Sequence, residues 1–110
     1  MNNNSQILKG VLEGCILQII NYKEETYGYE VVTELRNYGF KSASESTIYP
    51  ILTRLEKRGV LSSCKKPSPL GPQRKYYSLT CLGEEELQGF KDLWDELKGF
   101  VDGLLVKGSE

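Results

Sequence analysis

The 110-residue chain has no histidine, one tryptophan, one methionine, three cysteines and almost no net charge, −1. Without histidine there is no imidazole for acid-base work. No carboxylate pair sits in a recognisable setting, no cysteine has a base beside it, and no glycine loop could cradle a phosphate, so an enzyme is not expected. Cys15, Cys64 and Cys81 are odd in number and lack the close spacing of metal ligands, which argues against a zinc site and a disulfide framework. They are expected to be reduced in a cytoplasmic protein that carries no cofactor. Residues 1–5 are polar and lack the basic start of a signal peptide. The longest apolar stretch, residues 11–20, is interrupted by Glu13 and is too short to cross a bilayer, so no membrane association is expected.

Near-neutrality conceals an asymmetry. Residues 41–82 hold eight bases (Lys41, Arg54, Lys57, Arg58, Lys65, Lys66, Arg74, Lys75) against Glu45 and Glu56, a net +6, which leaves −7 on the rest of the chain. A basic block between acidic flanks suggests a module built for a polyanion. At this length a single hydrophobic core suffices and one compact unit is expected.

Hydrophobic spacing supplies the order of elements. Leu8, Val11, Leu12, Cys15, Ile16, Ile19 and Ile20 recur at helical intervals and predict an amphipathic helix over residues 6–21. Residues 21–27 are polar, and Thr26 is a plausible cap for a second helix carrying Val31, Val32, Leu35 and Tyr38, which stops at Gly39. Ser44 and Ser46 can both cap a third helix, whose buried stripe is Ile48, Ile51, Leu52 and Leu55 and whose stop is Gly59. Pro50 would break a helix interior, so this helix is expected to start near Ser46, run to Arg58 and keep Pro50 at or just past its first turn. Residues 60–65 and 74–79 then read as two strands, separated by a loop over 66–73 in which three prolines and a glycine forbid a ladder. Thr80 caps a last helix with Glu84, Glu85 and Glu86 in its early turns, favourably placed for the dipole. Along it Leu87, Phe90, Trp94, Leu97, Val101 and Leu104 form an a/d seam of nearly three heptads.

Three helices followed by a hairpin is the order of a winged helix-turn-helix, a mainly α fold with a two-stranded β wing. Residues 1–80 are expected to form the DNA-binding unit, and 81–110 a dimerisation helix within the same compact body. The basic excess falls on the third helix and the wing, where such a fold meets DNA. Ser46, Pro50, Thr53 and Lys57 point away from the expected core, flanked by Tyr49 and Arg54. Hydroxyls and the phenol suit phosphate oxygens, Arg54 is long enough for a bidentate contact to guanine, and Lys57 suits the backbone. Lys65, Lys66, Arg74 and Lys75 lie on the arms of the wing for phosphate or minor-groove contact. Tyr76 and Tyr77 alternate on the returning strand, one of them packing beneath it. A protein-interaction module that uses the same fold without DNA is the competing reading.

Three runs carry a family resemblance: Tyr27-Gly28-Tyr29-Glu30; Ser46-Thr47-Ile48-Tyr49-Pro50-Ile51-Leu52 with the following Arg54-Leu55-Glu56-Lys57-Arg58-Gly59-Val60-Leu61; and Arg74-Lys75-Tyr76-Tyr77-Ser78-Leu79-Thr80 before Gly83. In this order and spacing the chain resembles the PadR family of bacterial transcriptional regulators over nearly its whole length. The resemblance implies a homodimer of winged-helix protomers that binds a palindromic operator and represses nearby genes until an effector is sensed. It implies DNA contacts from the Ser46 to Pro50 motif, Thr47 included, with Tyr49 on the backbone. The family's wing usually carries a Gly-Arg-Arg-Lys-like run, whereas here Pro72 and Gln73 follow Gly71, so one expected charge is missing. The length matches the short form of the family, with one C-terminal helix for dimerisation. Leu8 and Leu12 of the first helix would then meet the partner's Leu87 to Leu104 seam. Some short members stack flat hydrophobic or aromatic effectors on an aromatic of this helix, which gives Trp94, with Phe90 and Leu97, a possible ligand role. The other reading of Trp94 is a dimer-core side chain near Phe90 and Phe100.

Overall fold

A computed structural model describes residues 3–109, with side chains placed over 7–108. Residues 1, 2 and 110, at the ends of the two expected units and including part of the polar start, lie outside the described residues. The order is α1 (Asn3–Lys23), β1 (Thr26–Tyr27), α2 (Gly28–Asn37), α3 (Glu45–Lys57), β2 (Leu61–Ser68), β3 (Gly71–Leu79) and α4 (Cys81–Ser109). This is the mainly helical winged-helix architecture expected, with one added strand.

The helix α1 is the hub. Ile16, Leu17 and Ile20 are all buried, and they pack with Val31 and Val32 of α2, Ile48, Leu52 and Leu55 of α3, and Val60 and Leu61 at the root of the wing. Fully burying each such aliphatic side chain contributes about 1.5–3 kcal/mol. Leu17 lies off the predicted stripe, so α1 is wrapped on more than one side. Leu12 and Leu87 belong to this same core, only 6% and 3% exposed within a single chain. Little of their surface is therefore left outside the core of the single chain.

Two local expectations also change, and the choice of cap for α3 is settled. Thr26 does not cap α2; it begins β1, whose Thr26 and Tyr27 pair antiparallel with Tyr77 and Tyr76 of β3, giving the sheet order β1-β3-β2. Thr26 is fully buried, and its hydroxyl donates to Glu30 Oε1 at 2.5 Å. The cap of α3 is Ser44, whose Oγ accepts from the Thr47 amide at 3.3 Å, so the helix begins one residue early and Pro50 stands in its second turn. The amide that Pro50 lacks would have bonded the Ser46 carbonyl, on the exposed side where solvent can take its place. The wing ladder runs on through the proline-rich segment to Ser68 and Gly71, leaving Pro69 and Leu70 as the turn. It survives because Pro67 falls at the register shift between Lys66 and Ser68 and because this part of the hairpin has no third strand, so its outer edges need no amides.

The last helix starts as expected: Thr80 Oγ1 accepts from the Gly83 amide at 3.0 Å and donates to the Gly59 carbonyl at 2.6 Å. Two glycines let α4 come close. A Cβ at Gly83 would stand 2.1 Å from the Val60 carbonyl oxygen, and one at Gly14 of α1 would stand 2.4 Å from the Phe90 ring. Beyond Phe90, α4 leaves the protomer. Trp94 is 44% and Leu97 36% exposed, and Val101, Leu104 and Leu105 are exposed with them.

Gly83→Ala is expected to destabilise the fold by about 1–3 kcal/mol, because the obstacle is backbone. Gly89→Ala, in the same helix with open space around it, is expected to add roughly 0.5–1 kcal/mol. Urea denaturation at fixed protein concentration checks both; equal midpoints for the two variants would contradict the account.

Candidate nucleic-acid interface

The outward face of α3, the β1–α2 junction and strand β3 of the wing bound one groove of about 550 Å³. Tyr49 forms its floor. Gly28, the first residue of α2, lies under the Tyr49 ring so tightly that a Cβ there would come within 2.3 Å of Cε1. This is the physical reason for a glycine after Tyr27. The Tyr49 hydroxyl is pushed up from its ordinary value of 10.0 by burial and by the nearby Glu45 carboxylate, with Arg74 opposing, so it remains a protonated donor at neutral pH. Thr53 of α3 and Gln73, Arg74 and Lys75 of β3 complete the walls.

Of the expected site residues on α3, Ser46, Thr47, Tyr49, Pro50, Thr53 and Lys57 are all exposed. Ser44 Oγ lies 2.9 Å from Thr47 Oγ1 and 3.1 Å from Ser46 Oγ, so a string of hydroxyls caps the helix where its dipole is positive. Pro50, Thr53, Arg54 and Lys57 line a second, shallower groove along the same helix. Arg54 departs from the set: its guanidinium turns to α1, where Nη2 meets Glu13 Oε2 at 2.5 Å.

The cations of the wing rest on aromatic rings and carboxylates. Arg74 lies over the Tyr27 ring, 4.5 Å from its centroid. Lys75 reaches Glu56 Oε1 at 2.7 Å and sits over Tyr77, while Lys66 pairs with Glu25 and sits over Tyr76. Tyr77 is the buried member of the tyrosine pair, and Tyr76 packs edge-on against Tyr27 with centroids 5.3 Å apart. Lys57 and Lys65 make no ion pair among the described residues, and both are exposed.

The sequence reading missed Tyr27 as a platform for Arg74, and Glu13, Glu25 and Glu56 as holders of cations. Glu13 and Glu25 each lie 41 residues from their partners, Arg54 and Lys66, a distance no local pattern reports. Of the three residues expected near an effector, Phe90 lines an apolar cleft of about 500 Å³ with Cys15, Ile19, Leu35 and Leu87, whereas Trp94 and Leu97 stand further along α4. Cys15 is half-buried, which pushes its thiol up, and Cys64 and Cys81 are exposed.

Three helices on one core, a hairpin wing and a hydroxyl-lined second motif helix define a winged helix-turn-helix protein. A family model described as the Transcriptional regulator PadR-like family matches residues 16–89. A crystal structure of a PadR-like transcriptional regulator from Bacillus cereus is similar with a TM-score of 0.81 and 50% identity, over 91% of this chain and 96% of that one. A transcriptional regulator from Streptococcus is similar with a TM-score of 0.82 and 48% identity, over 90% and 96%. An uncharacterized protein from Lysinibacillus sphaericus is 36% identical over 108 residues, 96% of this chain and 97% of that protein. The chain belongs to the PadR-like family of transcriptional regulators, DNA-binding proteins rather than enzymes. No helix among the described residues is long and apolar enough to cross a membrane.

The Glu25 and Glu56 carboxyls are held below the ordinary 4.5, chiefly by the hydrogen bonds from Lys66 and Lys75. A depressed folded-state value stabilises above 4.5 and is lost as pH falls through it. Acidification below about 4.5 is therefore expected to release Lys66 and Lys75 before the helical core melts. Carboxyl carbon shifts and amide exchange across 61–79, followed by NMR, test this; midpoints at or above 4.5 would contradict it.

Proposed function

We propose that the chain acts in the cytoplasm as a homodimeric repressor that binds a palindromic operator. Residues 1–80 form the DNA-reading unit and 81–110 the dimerisation helix. The observation that carries the reading is the continuous surface made by the outward face of α3 and the wing, where hydroxyls and cations converge around the Tyr49 groove. In the major groove, Ser46, Thr47, Tyr49, Pro50 and Thr53 face the duplex and Lys57 meets a phosphate. Lys65, Lys66, Arg74 and Lys75 follow the flanking backbone. Lys66 and Lys75 give up exposed carboxylate partners to do so, an exchange a phosphate can drive because surface ion pairs contribute only about 0–1 kcal/mol.

The dimer reading rests on the stripe that α4 leaves unpartnered, Trp94, Leu97, Val101 and Leu104, with the exposed Leu8 of α1. An apolar surface so continuous calls for a partner. A small hydrophobic or aromatic effector is proposed at Trp94, Phe90 and Leu97, where a ligand wedged along the seam would alter the spacing of the two reading heads.

Retention of a mixed-sequence duplex across a salt series tests the DNA contacts. Lys57→Ala and Lys65→Ala are each expected to flatten the log–log salt dependence by about 1 per protomer. Wild-type protein that binds without salt dependence, and lysine variants that match it, would favour the protein-interaction reading instead. Leu97→Asp is expected to yield folded monomers in sedimentation and to lose operator binding, because one protomer reads one half-site. A monomer that keeps wild-type affinity would remove the dimer from the mechanism.

A further inference from the structure

The strongest polar feature outside the wing joins α3 to the scaffold behind it. Glu13 of α1 holds Arg54 at 2.5 Å and lies 3.8 Å from Arg58 Nη1, and Arg58 Nη2 donates to Glu86 Oε1 of α4 at 2.6 Å. Arg54 is not buried by this arrangement. Its side chain is 40% exposed and lines the same shallow groove as Pro50, Thr53 and Lys57, the face that α3 turns outward. The guanidinium therefore stands between two acceptors, Glu13 behind it and whatever occupies the groove in front.

We infer that Glu13 is a specificity-determining residue that withholds Arg54 from DNA unless the duplex offers a bidentate acceptor. This inference rests on the DNA-binding reading above. The Glu13 carboxylate is 24% exposed, less than Glu25 and Glu56 of the wing pairs at 38% and 30%, so solvent and salt screen its bond to Arg54 less, and it outlasts a single phosphate contact that the wing pairs yield to. Guanine presents O6 and N7 together, and the planar guanidinium matches them with two parallel hydrogen bonds. On arbitrary sequence Arg54 stays with Glu13; on a guanine at the right step it turns forward. Glu13 thus lowers the affinity for wrong DNA more than for right DNA, which is how specificity is raised without a new contact. Arg58 keeps the carboxylate in place through the exchange: once Arg54 leaves, Glu13 retains a cation 3.8 Å away and is not left unpaired.

The test is Glu13→Gln, an isosteric change that leaves Arg58 its bond to Glu86. The probes are 30-base-pair duplexes of alternating dA–dT and alternating dG–dC, titrated by fluorescence anisotropy over a salt series. On the dA–dT duplex the variant is expected to bind about two- to fivefold tighter, with a log–log salt slope steeper by about 0.9 per protomer. On the dG–dC duplex the gain is expected to be smaller, so the preference for guanine-bearing DNA narrows. Adding Arg54→Ala to Glu13→Gln is expected to erase the gain and the extra slope. An unchanged slope on both duplexes would overturn the inference, as would equal weakening on both, which would mark Glu13 as a purely structural support of α3. A wild-type protein that binds neither duplex would instead remove the DNA-binding reading, and the role of Glu13 with it.

Discussion

The arrangement hangs on the close approach of α1 and α4 at Gly14 and Phe90. With no side chain at Gly14, the Phe90 ring lies against the α1 backbone, and the first turns of α4 share the core through Leu87. One turn earlier, Gly83 sits on the Val60 carbonyl, and Thr80 bonds both Gly59 and Gly83. The root of α4 is thereby joined to the point where α3 ends and the wing begins. A close-packed junction of this kind transmits displacement instead of absorbing it. Any tilt of α4 within its first turns must move the end of α3 or the base of the wing, and any freedom α4 retains lies beyond Phe90.

Electrostatics at the interface follow a second constraint, the near-zero net charge. The basic block is not displayed bare: Glu13, Glu25, Glu56 and Glu86 each hold at least one of its cations, and tyrosine rings support three more contacts. The acidic remainder of the chain therefore has a structural use, supplying partners that fix long side chains in place before any polyanion arrives. Holding Lys66 and Lys75 against rings and carboxylates reduces the rotamer entropy still to be lost on binding. The cost is a competing acceptor for each, which only a stronger or more numerous set of acceptors displaces.

Periodicity sufficed for the helices because each of them buries one face against the same centre, and a 3.6-residue repeat is what that burial writes into the sequence. It gave the buried stripe of α3 correctly, Ile48, Ile51, Leu52 and Leu55. Elements held by partners distant in the chain were illegible. The strand β1 is two residues long and exists only because β3 lies beside it. The wing's prolines read as a broken ladder, since no local rule tells an edge where amides are unneeded from a centre where they are required. Ser44 and Ser46 were equal as caps in sequence, and the stripe could not separate them; Ser44 leaves Pro50 two residues further in than Ser46 would, with the Ser46 carbonyl facing outward. The outward-facing residues of α3 were legible as the complement of its stripe. The turn of Arg54 toward Glu13 was not, because only the packing of α1 across α3 brings them together.

The length of α4 beyond Phe90 links packing to the geometry of the proposed dimer. Residues 91–109 make a helical rod of about 28 Å at 1.5 Å per residue. Pairing two such rods in antiparallel sense, about a two-fold axis perpendicular to them, would set their roots about that far apart. Adjacent half-sites on one face of a duplex are separated by roughly 34–36 Å, a length of the same order as that rod. The apolar stripe then does more than hold two chains together. In the proposed dimer its length would set the separation of the two α3 helices, and the junction at Gly14, Gly83 and Thr80 holds the root of α4 in fixed relation to the end of α3.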